Sequence, residues 1–218
     1  MMLTPIPPDL LPPALDDFAA RLPNDAVRSL FAMIRETPAD RAVGAEAERH
    51  RQEALAMARR FGMGVHPEGA VCAFNWDGAA LDGATEAYVI LHEIAHFVLA
   101  PPERRRLVDF GLGPGPDTSD RGAAERARAV TLAEGDADEA AASLLGISWE
   151  AALGHPALAS FLDQNWLEGL ERSAAPHFAA TAAVLRERGW LDAGLRPYLV
   201  RRPTPSSAAA ICIARQTW

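Results

Sequence analysis

The chain has 218 residues, enough for one domain with a full hydrophobic core and some appendages. Apolar residues make up 49% and charged residues 23%, an ordinary globular balance. The net charge of −8 argues against a nucleic-acid partner, which needs a basic surplus. The two cysteines, Cys72 and Cys212, form neither a disulfide framework nor a CxxC pair, which suits a reducing compartment. The N-terminal stretch MMLTPIPPDLLPPALDDF has no basic region and is broken by prolines, so it does not resemble a signal peptide. The most apolar segment, 84–100, is too short to span a bilayer comfortably and carries an acid at its centre. The expectation is a cytoplasmic protein with no membrane partner.

In chain order, residues 1–13 are proline-rich and read as an extended arm. Apolar periodicity then predicts helices over 14–21, 25–36 and 40–61, the last closed by Gly62. GAVCAFNW (69–76) is the best strand candidate, ended by the turn pair Asp77-Gly78. Asp82-Gly83 punctuates the chain before the apolar helix AYVILHEIAHFVLA (87–100). A short helix and a Gly/Pro-rich loop follow, and then helices over 121–146, 148–153, 156–170 and 174–188. The segment 201–218 reads as a flexible tail, leaving 14–200 as a single domain.

The helix over 87–100 spends three polar side chains, His92, Glu93 and His96, in an otherwise greasy interior. Burying them is unfavourable by several kcal/mol unless something compensates. Residues four apart share a helix face, so His92 and His96 point the same way, with Glu93 one step round. This is the HExxH device: two imidazoles bind a metal and the glutamate acts as the catalytic acid–base group. Two buried histidines bonded to backbone or solvent are the bland alternative. The expected fold is therefore mainly α (α+β), a helical zincin-like domain with a small β-sheet around the metal helix.

A catalytic metal needs at least one further protein ligand and an open position. The segment TLAEGDADEAAASLLG (131–146) supplies candidates. On a helix, Glu134, Asp138, Ala142 and Leu145 form one stripe, while Asp136, Glu139 and Ser143 lie on another. The first stripe runs into apolar residues, which assigns Glu134 to the metal. Asp138 then becomes the acceptor for a ligand histidine's free ring N–H. The alternative for these acids is an acidic first turn favoured by the helix dipole, with Glu125 as the fallback ligand.

The stretch HEIAHFVLAPPERRRLVDFGLGPGPD (92–117) resembles the bacterial elongation factor P hydroxylases. In that family HExxH is followed by an Arg-Arg pair, Leu-Val-Asp-Phe-Gly and Pro-Asp. The matching positions are His92, Glu93, His96, Arg104, Arg105, Leu107, Val108, Asp109, Phe110, Gly111, Pro116 and Asp117. The resemblance implies a two-His, one-carboxylate site completed by a downstream glutamate, with Glu134 in the corresponding region. It also implies a protein substrate, a modified lysine on elongation factor P, with Arg104, Arg105 and Asp117 as candidate substrate contacts. Where that family has aromatic residues, this chain has Leu112-Gly113-Pro114-Gly115, which leaves another protein or a small molecule open as substrate. Within LVDFG, Phe110 is expected to be buried beside the metal helix, with Asp109 supporting the site through a bond to backbone or to an arginine at 104–106. The second motif, EGDADEAAASLL, is similar to that of the ImmA/IrrE-type zinc metallopeptidases. The spacing of Glu134 and Asp138 is also similar to the thermolysin-like pattern.

Two chemistries follow from one ligand set. With Fe²⁺, two histidines and a carboxylate leave positions for O₂ and substrate, giving hydroxylation. With Zn²⁺, a bound water of lowered pKa and Glu93 as base would give peptide hydrolysis. Fe²⁺ is preferred and Zn²⁺ is the alternative. A purely structural metal site is disfavoured because such sites are closed by four ligands.

Overall fold

The computed structural model describes residues 6–167 and 174–200. The first helix, α1 (Leu11–Ala20), begins inside the stretch expected to be an extended arm. Pro12 and Pro13 fall in its first turn, where a backbone N–H has no helical partner to lose. Helix α2 (Asp25–Arg35) is capped by the Asn24 side chain, which accepts from the Val27 N–H at 3.1 Å. It buries Val27, Leu30, Phe31 and Ile34 at helical spacing. Helix α3 (Gly44–Arg60) follows and ends before Gly62 at φ 84°.

Strands β1 (Gly64–Val65) and β2 (Ala80–Leu81) pair in parallel, Gly64 opposite Ala80 and Val65 opposite Leu81. The strand expected over 69–76 does not form. Its backbone groups find scattered partners instead, with Ser119 N–H donating to Ala73 O and Asp82 N–H to Asn75 O. Val71 stands fully exposed, and only Trp76 makes a bridge, to Leu81. Apolar composition is the strand signal there, but beyond the single bridge to Leu81 in the two-residue strand β2 the segment has no ladder to join.

Helix α4 (Ala87–Leu99) carries HExxH and leads into two short 3₁₀ turns, Arg104–Arg106 and Val108–Gly111. The helix expected over 121–146 is two helices, α5 (Arg121–Arg126) and α6 (Leu132–Leu153). Thr131 starts the second with a capping box, and α6 then continues unbroken through 147–148 to Gly154 at φ 74°. Helices α7 (Ala157–Asp163) and α8 (Ala174–Glu187) complete the set. The helix expected over 156–170 stops at Asp163, with 164–167 in turns, while 168–170 and the tail 201–218 lie outside the described residues.

Helix α6 is the axis of the packing and touches α2, α4, α7 and α8. From Ala140 to Glu150 every one of its residues is buried. Beside it, Phe18, Phe31, Phe161 and Phe178 bring α1, α2, α7 and α8 together, with ring centroids 4.7–6.2 Å apart. No helix among the described residues is long and apolar enough to cross a membrane.

Candidate metal centre

Helix α4 buries Val89, Ile90, Leu91, Ile94 and Ala95 around its histidines. His96 is nearly inaccessible and His92 partly open. As the i, i+4 spacing requires, the rings share a face, with Nε2 of His92 and His96 only 2.9 Å apart. Helix α6 crosses closely because Gly146 lies against the His92 backbone. A Cβ there would sit 3.3 Å from His92 Cα and N.

The third group at this point is Glu139. Its Oε2 lies 3.3 Å from His92 Nε2 and 3.4 Å from His96 Nε2, and the three side chains form a set able to hold a metal ion. The donor triangle fits such an ion: ligand bonds of about 2.1 Å at octahedral or tetrahedral angles put neighbouring donors about 3.0–3.4 Å apart. Partial withdrawal from water opposes the charge of Glu139, but the His96 charge and hydrogen bonds to both imidazoles outweigh it and hold the carboxyl well below its ordinary range.

Glu134, the ligand expected from the sequence, is not brought to the histidines. Its carboxylate accepts from both the N–H and the hydroxyl of Thr131 at 2.8 Å, closing the capping box. It is the acidic first-turn residue that was the alternative reading. Asp138 does not reach a histidine either; it binds Arg104 at 2.5 Å. The fallback, Glu125 on α5, pairs with Arg128 just beyond that helix. The signal that could have selected Glu139 is its own stripe: Ser143 and Gly146 follow it at i+4 and i+7, and small residues mark the face that a neighbouring helix approaches.

The LVDFG segment builds one wall. Phe110 is 1% exposed and stacks on His96 with centroids 5.5 Å apart and planes at 24°. It also stacks on Trp76 at 5.5 Å and 3°. To place the ring there, Asp109 and Phe110 both adopt left-handed backbone, φ 45° and 53°, a conformation that costs about 1–3 kcal/mol each for such residues. Of the two partners expected for Asp109 it takes backbone rather than an arginine at 104–106: the Gly115 N–H favours its charge, and its carboxylate accepts from the Thr118 hydroxyl at 2.6 Å. Burial raises its pKa, against the pull of that bond.

Compared with models of known families, with curated proteins and with solved structures, the chain matches none. The geometry and the central motif therefore carry the functional reading.

The ligand set lines a cavity of about 590 Å³ together with Glu93, Asp109, Phe110, Asp117 and Trp166. Glu93 is 8% exposed, and burial pushes its carboxyl up to about 8 even though His92 and the Asn75 side chain favour its charge. Asp117 lines the cavity. Arg104 and Arg105 do not line it. Arg104 belongs to a separate cleft with Val98, Arg188 and Trp190. Arg105 donates to the carbonyls of Ala100 and Val98 at the end of α4 and lies over the Phe97 ring, 4.9 Å from its centroid.

Proposed function

We propose that the chain is a metal-dependent enzyme holding one divalent ion on His92, His96 and Glu139, and that with Fe²⁺ it hydroxylates a protein side chain or small molecule using O₂. The observation that carries this reading is the convergence of two imidazoles and one carboxylate on a single point of a cavity wall. Three protein ligands leave positions free for exogenous groups. Bound there, Fe²⁺ would supply oxygen activation, and Zn²⁺ would supply a water of lowered pKa.

The cavity of about 590 Å³ is the size of a small ligand or one long side chain. Its lining includes the acids Asp117, Asp136 and Glu139 and no arginine, which suits an amine-bearing substrate. A modified lysine on elongation factor P, the partner implied by the resemblance of the central stretch, has that chemistry. In this reading Phe110 and Trp76 shield His96 from water, and Glu93 exchanges a proton with a substrate amine or a water in the cavity.

One observation favours a zinc metallopeptidase as the second reading. Glu93 lies beside His92 in the same cavity, where its carboxylate, once a bound divalent ion offsets the burial that opposes its charge, could take a proton from an attacking water. Metal-free protein loaded separately with Fe²⁺ and Zn²⁺, and incubated with candidate protein substrates, separates the two. An oxygen-dependent mass gain of one oxygen with Fe²⁺ supports hydroxylation. Cleavage with Zn²⁺ that vanishes in Glu93→Gln overturns it in favour of the peptidase.

A further inference from the structure

Glu139 sits at an exposed edge of the structure. Its side chain is 53% exposed, and of the α6 residues before it only Gly135 is buried. Packing secures α6 from Ala140 onward, but the two turns that carry the ligand project from the core. A glutamate also has three side-chain torsions to restrict before it can serve as a ligand. Some other contact has to fix this end of the helix over the two histidines.

The contact next to the ligand is Asp138. Its Oδ2 is 2.5 Å from Arg104 Nη2, with the two side chains 18% and 12% exposed. Its other oxygen lies 3.8 Å from Arg188 Nη1, at the end of α8. Arg104 is in the 3₁₀ turn that directly follows the histidine helix, so the pair ties the element after α4 to the residue preceding the α6 ligand. As a source of stability the pair is poor: buried ion pairs roughly break even against apolar packing, and the Arg104 Nε is itself buried with no partner. What it does supply is position. It ties the first two turns of α6 to the element after α4 right beside Glu139, and it holds the neighbouring carboxylate of Asp138 on Arg104, away from His92 and His96.

We infer that Arg104 is a positioning residue for the metal ligand Glu139, acting through Asp138. This rests on the metal reading proposed above, and the test is built to tell the two apart. Wild-type protein and the variants Arg104→Gln, Arg104→Lys and Asp138→Asn are titrated with Zn²⁺ against a competing chelator, well below the melting temperature of each. The visible spectrum of the Co²⁺-loaded form is recorded as a reporter of ligand geometry. Loss of a residue that orients a ligand lowers metal affinity about 10–100-fold. That loss is expected for Arg104→Gln and Asp138→Asn, with part of the affinity regained in Arg104→Lys and an altered Co²⁺ spectrum in the first two. Thr37→Ala, which removes the hydroxyl that accepts from the Leu158 N–H at 2.8 Å, serves as a variant that lowers stability while leaving affinity and spectrum unchanged. Should Arg104→Gln fail to fold, Asp138→Asn and Arg104→Lys give the same reading. Wild-type affinity and spectrum in Arg104→Gln and Asp138→Asn, whatever their melting temperatures, overturn the inference. A wild type that binds no ion, or a Glu139→Gln variant that binds as tightly as wild type, overturns the metal reading and the inference with it.

Discussion

Glu150 is a buried acid in α6, 2% exposed, with Ser160 beside it and the Arg41 guanidinium 3.7 Å away. Burial dominates these partners and pushes its pKa from 4.5 up to about 7. A group that holds its proton more tightly when folded favours the folded state at low pH. That contribution is complete below 4.5 and is withdrawn as the pH climbs to about 7, where the carboxylate must ionise inside the protein. At about 1.4 kcal/mol per pH unit, the gap is worth roughly 3 kcal/mol, of which roughly 2.5 falls between pH 5 and pH 8.5. Glu150→Gln cannot ionise. It should therefore match wild type near pH 5 and exceed it by roughly 2.5 kcal/mol at pH 8.5. Urea unfolding of both proteins at the two pH values measures this directly, because other titrating groups cancel in the comparison. An equal stability difference at both pH values would show that Arg41 compensates the charge fully and that burial does not govern this site.

Phe110→Ala should lower stability by about 3–5 kcal/mol in urea unfolding, the usual loss for a buried ring. It should also weaken metal binding, since the alanine no longer stacks on His96. Gly146→Val puts side-chain atoms where even a Cβ would press on the His92 backbone at 3.3 Å, so it should be destabilising by about 1–3 kcal/mol and disturb the ligand pair. Calorimetric melting with and without added metal reads both effects. Thr131→Ala removes the α6 cap, and a loss of about 1 kcal/mol is expected.

How much of this was legible beforehand differs by element. His92 and His96 were readable because i, i+4 spacing fixes a shared face wherever the helix lies. The partner acid was harder, since Glu134, Asp136, Asp138 and Glu139 all fall within two turns and only the packing partner decides which stripe turns inward. The Thr131-x-x-Glu134 spacing is itself a capping-box signature, and it assigns Glu134 to the helix start rather than to a site. The failure over 69–76 has a different origin: strand formation depends on a neighbour to pair with, and composition carries no record of one. Burial of Phe110 followed from its apolar surroundings, but the left-handed backbone that delivers its ring to His96 is a tertiary effect, imposed on residues that do not favour it.

The central claim is that Glu139, with His92 and His96, holds the metal. Its most direct test is metal stoichiometry and affinity in Glu139→Gln and Glu134→Gln, compared with wild type and His96→Ala on the full chain. The account predicts one divalent ion per chain in wild type and in Glu134→Gln, with binding lost in His96→Ala and Glu139→Gln. Retention of the ion by Glu139→Gln together with its loss from Glu134→Gln would contradict it.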